Sequence, residues 1–204
     1  MGRVMTLVVF DIGNVLIRWE PRAAFRDAFG SDAEIDALLD EVGFYDWNYA
    51  NDRGRPRAGA VAEIAAHWPE RAALMDGYFA RFGETIRDRI EGSWEIVAEL
   101  RAAGHRLWAL TNFSADTWPE ALHLHPDLTE VFEGIVVSAH ERMVKPDREI
   151  FDLLCERADV APDQCYFTDD SAANVAGARA AGWRAHQFTG PEGLRADLRE
   201  RGLL

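Results

Sequence analysis

Five short apolar runs, each rich in β-branched or aromatic residues and each too short for a helix, set the main constraint on how this chain can fold. Leu7-Val8-Val9-Phe10 is the first, and similar runs return at Arg106 to Leu110, Ile135 to Val137, Cys165 to Thr168 and Ala185 to Phe188. A continuous apolar run of this length suits a strand covered on both faces, as in a parallel sheet packed between helices. Helical patterns with recognisable ends lie between the later runs. Trp94 to Ala103 closes on Gly104, Arg148 to Ala158 starts after Asp147, and Asn174 to Ala181 closes on Gly182. Strand and helix therefore alternate, which predicts a doubly wound α/β fold with a mostly parallel sheet and right-handed crossovers.

The segment from Pro21 to Arg89 breaks this rhythm, because it holds helical spacing and no convincing strand. Ala33 to Leu39, Ala58 to His67 and Arg71 to Phe82 have the apolar spacing of helices, separated by the turn-like pieces Asn51-Asp52-Arg53-Gly54 and Trp68-Pro69. The expected division is an α/β core made of residues 1–18 and 90–204, with a small α-helical cap inserted at 19–89. A chain of 204 residues, 48% of them hydrophobic, is long enough for one core carrying such an insertion.

The charge balance limits the partners. With 22 basic and 35 acidic residues the net charge is −13, a field that repels the nucleic-acid backbone. An anionic small molecule would feel the same repulsion, so a site for one must concentrate positive charge and a cation locally. Cys155 and Cys165 sit in apolar patterns and are expected to be small buried hydrophobes rather than a disulfide. The apolar run Val4 to Phe10 is far shorter than a membrane span and stops at Asp11. The expectation is a cytoplasmic protein, monomer or homodimer, with neither membrane nor nucleic acid as partner.

In open parallel sheets ligands bind beyond the carboxyl ends of the strands. Here those positions carry Asp11-Ile12-Gly13-Asn14-Val15, then Thr111-Asn112, then Lys145-Pro146 after a short loop, then Asp169-Asp170. Any one of these residues could simply end a strand or cap a helix. Together they bring three carboxylates, a hydroxyl and an ammonium to one edge, a set that can hold a hard cation through oxygen and an anion beside it. Oxygen donors without a Cys or His cluster favour magnesium over zinc. His123 and His125, two apart, do not share a helix face and are expected at the surface.

The order of these motifs resembles the haloacid dehalogenase superfamily of the helical-cap type: a strand-end Asp, a Ser or Thr, a Lys, then an acidic pair. Val-Val-Phe-Asp11, Leu-Thr111-Asn112, Val-Lys145-Pro146 and Phe-Thr-Asp169-Asp170 with Asn174 match it in sequence, over essentially the whole chain. The resemblance implies a phosphatase in which Asp11 attacks phosphorus and forms an aspartyl-phosphate that water discharges. It implies Mg²⁺ held by Asp11, the Gly13 carbonyl and Asp170, with Asp169 a ligand or a partner of one. Thr111 would bond the phosphoryl oxygens, Asn112 would support the substrate, and Lys145 would neutralise charge on nucleophile and phosphate.

Gly13 departs from this pattern, because phosphatases of the superfamily usually carry there a second aspartate that protonates the leaving oxygen. A positioned acid-base group is worth roughly 10²–10⁴-fold in rate. Three readings follow. The Asp-x-Gly-Asn-Val motif is similar to that of a sugar-phosphate phosphatase branch. Dehalogenases also lack the second aspartate but need no metal, which leaves Asp169-Asp170 unexplained. A non-catalytic binding relative would leave Asp11, Lys145 and Asp170 without a purpose. The first reading implies a small phosphorylated metabolite as substrate, recognised by the cap. Trp47 and Asn48, within Tyr45-Asp46-Trp47-Asn48, are the candidate contacts, with Trp19, Glu20 and the turn at Asp52 beside them; Trp47 has a second reading, as part of the cap core.

Overall fold

A computed structural model of the chain describes residues 6–204, so Met1–Met5, including the start of the Val4–Phe10 run, lie outside the described residues. Strand β1 (Leu7–Phe10) is followed by helices α1 (Asp32–Glu41), α2 (Phe44–Asp52), α3 (Arg57–His67), α4 (Ala72–Ala80) and α5 (Phe82–Thr85). Then come α6 (Glu91–Ala102), β2 (Arg106–Thr111), α7 (Trp118–Leu124), α8 (Asp127–Val131), β3 (Gly134–Val137) and α9 (Ser138–Glu141). The chain ends with α10 (Arg148–Ala158), β4 (Cys165–Asp169), α11 (Ala172–Ala180), β5 (Arg184–Gln187) and α12 (Pro191–Glu200). All five expected strands are present within a residue or so of their predicted ends.

The sheet is wholly parallel in the order β3-β2-β1-β4-β5, so β1 lies at the centre and is the point where strand order reverses. Phe10 pairs with Ala109 on one side and Thr168 on the other, which brings the ends of β1, β2 and β4 to one level. Alternate residues of β1 feed two cores. Val8 and Phe10 pack with α6 and α12 through Ile96, Leu100, Leu194 and Leu198, while Leu7 and Val9 pack with α10 and α11 through Phe151, Leu154 and Val175. Helix α10 shows why the pattern was readable: Ile150, Phe151, Leu154, Cys155 and Ala158 recur at helical spacing and all are buried. Cys155 and Cys165 are buried free thiols with Sγ atoms 3.8 Å apart.

The helices between β1 and β2 share the first of these cores, through Phe25, Leu38, Phe44 and Tyr78 packed with Ile12 and Ile17. One expectation fails here. Asn51 and Asp52 do not belong to a turn but to the last turn of α2, which starts after Gly43 in the left-handed region (φ 59°) and gives way to a turn at Arg53-Gly54. Arg71 to Phe82 is likewise interrupted, into a 3-10 turn at Pro69–Arg71, α4 and the short α5. His125 also departs from the surface position expected of it: it is 3% exposed, with Nε2 2.6 Å from the Ile86 carbonyl oxygen. Histidine spacing carried no information about this contact, made 39 residues away.

Candidate active site

The segment after β1 folds into a tight loop because Ile12 and Asn14 supply its turns. The Ile12 carbonyl accepts from Leu16 N and Ile17 N at 2.9 and 3.0 Å. Asn14 adopts a left-handed conformation (φ 54°), one that Asn tolerates better than most residues, and its Oδ1 accepts from Trp19 N at 3.0 Å. This loop holds Asp11 at the strand end, where its N–H donates to the Thr168 carbonyl at 2.9 Å. Asp11 is 7% exposed, and its Oδ1 accepts from Ile12 N at 2.7 Å.

Lys145 reaches the same point from the loop after β3. Its side chain is fully buried, with Nζ 2.8 Å from Asp11 Oδ1 and 2.6 Å from Asp169 Oδ2, and it donates to the Leu110 carbonyl at 2.9 Å. The loop is braced by Asn112, whose amide accepts from Lys145 N at 2.8 Å and donates to Lys145 O at 2.9 Å. The Asn112 side chain, expected to contact substrate, is therefore engaged in positioning the lysine, although the residue borders the cavity above it. Thr111 is buried at the end of β2, on the same edge.

The two members of the acidic pair differ. Asp169 is buried, and both its oxygens are engaged: Oδ1 accepts from Ser171 N at 2.8 Å and Asn174 Nδ2 at 3.0 Å, while Oδ2 faces Lys145. Asp170 is more open. One oxygen from each of Asp11, Asp169 and Asp170 lies within 4.8 Å of the others, a donor set that fits a hard, oxygen-seeking divalent cation. The electrostatics agree. Burial raises the Asp11 carboxyl well above its usual range, helped by Asp169 and opposed by Lys145. Burial and then Asp169 raise Asp170 as well. Burial works against the Lys145 ammonium, but Asp11 and Asp169 outweigh it and hold Lys145 above the usual lysine range. Three carboxylates facing one ammonium leave negative charge that a cation would offset.

Above this centre lies a cavity that opens to solvent. Gly13, Asn112, Ser114 and Thr117 border it from the strand ends, while Trp19, Asn48, Asp52 and Tyr78 close it from the helical side. Trp47 does not reach it. Its indole is 3% exposed and donates to the Ala60 carbonyl at 3.0 Å, so of its two readings, substrate contact and helical core, the second holds. Asn48 does reach it, and its Nδ2 donates to Asp52 Oδ2 at 3.1 Å. Ser114, Thr117 and Tyr78 escaped sequence reasoning because nothing in their local pattern marks them; only the proximity of Ser114 to the end of β2 offered a signal. The helical roof is tied down by Ser138, whose Oγ accepts from Phe113 N at 2.9 Å and donates to the Asp52 carbonyl at 2.6 Å. Arg53 pairs with Asp147 at 2.6 Å beside it.

Comparison with known proteins places this geometry. The chain is 26% identical over 183 residues to the fructose-1-phosphate phosphatase YqaB of Escherichia coli (strain K12), covering 87% of this chain and 93% of that protein. It is 29% identical over 200 residues to the sesquiterpene phosphatase astK of Aspergillus oryzae, covering 94% of each. The fold is similar to that of the HAD family enzyme bt-2542 from Bacteroides thetaiotaomicron in its magnesium complex, with a TM-score of 0.75 and 19% identity over 97% of this chain and 100% of that one. Residues 5–182 match the family model for haloacid dehalogenase-like hydrolases, and the chain belongs to that family as a hydrolase.

Proposed function

We propose that this hydrolase is a magnesium-dependent phosphatase acting on a small phosphorylated metabolite through an aspartyl-phosphate, with residues 19–89 serving as a cap over a core of 1–18 and 90–204. The observation that carries the reading is the Asp11–Lys145 pair, with the carboxylates of Asp169 and Asp170 bringing oxygens within 4.8 Å of Asp11. Asp11 is the nucleophile: Lys145 holds one of its oxygens and leaves the other to attack phosphorus. Lys145 also offsets the charge that gathers as nucleophile and phosphoryl group meet, and Thr111 lies at the strand end where phosphoryl oxygens would rest. Asp11, the Gly13 carbonyl and Asp170 would hold Mg²⁺, and Asp169 orients Lys145. The ion, when bound, supplies Lewis-acid neutralisation of the phosphoryl oxygens.

The cavity supports a substrate with one apolar face and one hydroxyl-bearing edge, as a sugar ring presents. Ile17, Trp19 and Phe82 give it an apolar side, and Asn48, Asp52 and Ser114 a polar one. Tyr78 Oη and Trp19 Nε1 face each other in the cavity wall, buried and without any other hydrogen-bond partner, and would meet substrate oxygens. Two phosphatases named for such different substrates among the relatives fit a family in which the helical roof sets specificity. The deciding experiment is a panel of phosphorylated metabolites with magnesium and with chelator, beside short 2-haloacids without metal. Metal-dependent phosphate release is expected; metal-independent halide release would replace this reading with a dehalogenase.

A further inference from the structure

We propose that Asp52, at the end of α2, is the general acid and base of the reaction, approaching from the roof the place where Gly13 leaves a gap. The inference rests on the phosphatase reading above and goes further by assigning the proton.

The geometry points there from three directions. A side chain at Gly13 would have room: a Cβ built on it meets nothing within 4 Å, and its backbone is not in the left-handed region. Glycine is thus not required there by crowding, and the open space belongs to the cavity. Asp52 is the carboxylate that borders this cavity opposite Gly13. Two other acids of the helical segment are placed elsewhere: Glu20 caps the 3-10 turn at Pro21–Phe25, where it accepts from Arg22 N, and Asp46 is exposed, and neither borders the cavity. Finally, Asp52 is held in place. Ser138 fixes its carbonyl to the end of β3, and Asn48 donates to its Oδ2.

The groups around it tune it suitably. Burial is the main influence and raises the carboxyl to about 7; Lys145, from the core, opposes this, and Tyr78, from α4, faces the same space. A carboxyl near neutrality can both give and take a proton. In the first step an Asp11 oxygen bonds to phosphorus, the bond to the ester oxygen breaks, and that oxygen takes the proton of Asp52. In the second, water bonds to phosphorus as the Asp11–phosphorus bond breaks, and Asp52 takes a proton from the water. Alcohol and inorganic phosphate leave, and Asp52 is again protonated.

The test compares a primary alkyl phosphate with p-nitrophenyl phosphate, whose leaving group needs no proton, in the magnesium-loaded full chain. Measured as the pre-steady-state release of alcohol or nitrophenol, ahead of the second step that the two esters share, Asp52→Asn should lose roughly 10²–10³-fold on the alkyl ester and less than about 10-fold on the nitrophenyl ester. Adding Gly13→Asp to that variant should restore at least about 10-fold on the alkyl ester, because the space accepts the side chain. Equal losses on both esters, or undiminished alkyl-ester hydrolysis, would overturn the assignment. Should Asp52→Asn not fold, the wild-type pH profiles decide: alkyl-ester turnover must fall with rising pH where nitrophenyl-ester turnover does not, and parallel profiles refute it. Failure of the phosphatase reading itself would look different, as no Asp11- and magnesium-dependent release from either ester.

Discussion

Asp11 and Asp169 both touch Lys145, yet they are held for different tasks, and single substitutions should separate them. Asp11→Asn keeps the volume and removes the charge of the proposed nucleophile, so turnover should vanish in phosphate-release assays while circular dichroism and melting stay near wild type. In the acidic pair, Asp169 makes part-buried hydrogen bonds to Ser171 N and Asn174 as well as a fully buried ion pair with Lys145. Asp169→Ala should therefore destabilise the fold by about 1–3 kcal/mol, the cost of leaving buried donors unsatisfied while Lys145 keeps Asp11. Asp170→Ala should leave unfolding nearly unchanged and weaken magnesium binding by calorimetry. A larger effect of Asp170→Ala on unfolding, or none on magnesium, would reverse these assignments.

At the scale of elements, the site depends on how closely helix α11 approaches the lysine loop. A Cβ on Gly177 would lie 2.6 Å from the Pro146 carbonyl oxygen and 2.8 Å from its Cβ, with backbone that cannot step aside cheaply. Gly177→Ala should thus shift the loop carrying Lys145, costing about 1–3 kcal/mol in denaturant unfolding and lowering kcat more than it raises KM. The strands and the α10 and α11 packing were legible because buried parallel strands and amphipathic helices write periodic patterns into the chain. Helix α2 was not: Phe44-Tyr45-Asp46-Trp47-Asn48-Tyr49-Ala50-Asn51-Asp52 is crowded with aromatics and Asn or Asp, which favour other conformations, and it is held by packing of Phe44 and Trp47. The strand-end site residues could be read, since topology alone gathers them. The Asn112 brace on Lys145 and the tie from Ser138 to Asp52 could not, because they join residues 33 and 86 positions apart with no pattern to announce them.

For the whole molecule, charge and protonation give two further expectations. A protein of net charge −13 slows the approach of a phosphate ester, so raising ionic strength from about 10 to 150 mM should raise kcat/KM a few-fold, the opposite of what a positively steered site shows. Asp52 adds a pH dependence of stability. Its folded value near 7 stands above its ordinary 3.8, so between them the folded protein keeps a proton that the unfolded chain has released. Stability from this group is complete below the lower value and lost as pH rises through the upper one. Urea unfolding in chelator should show wild type losing about 1–3 kcal/mol relative to Asp52→Asn between about pH 4 and 8.

The central place of β1 also sets when the site can come into being during synthesis. The strand that ends at Asp11 emerges before its neighbours, which begin at Arg106 and Cys165, and the acidic pair ends at Asp170. At about 5–20 residues per second, the strand carrying Asp11 must wait roughly 10–30 s for its second edge to be covered. During that time Leu7-Val8-Val9-Phe10 is an apolar strand with unpaired backbone, the kind of segment that associates with other chains. Yield on expression should therefore respond to translation speed and chaperone supply more than the stability of the finished fold would suggest.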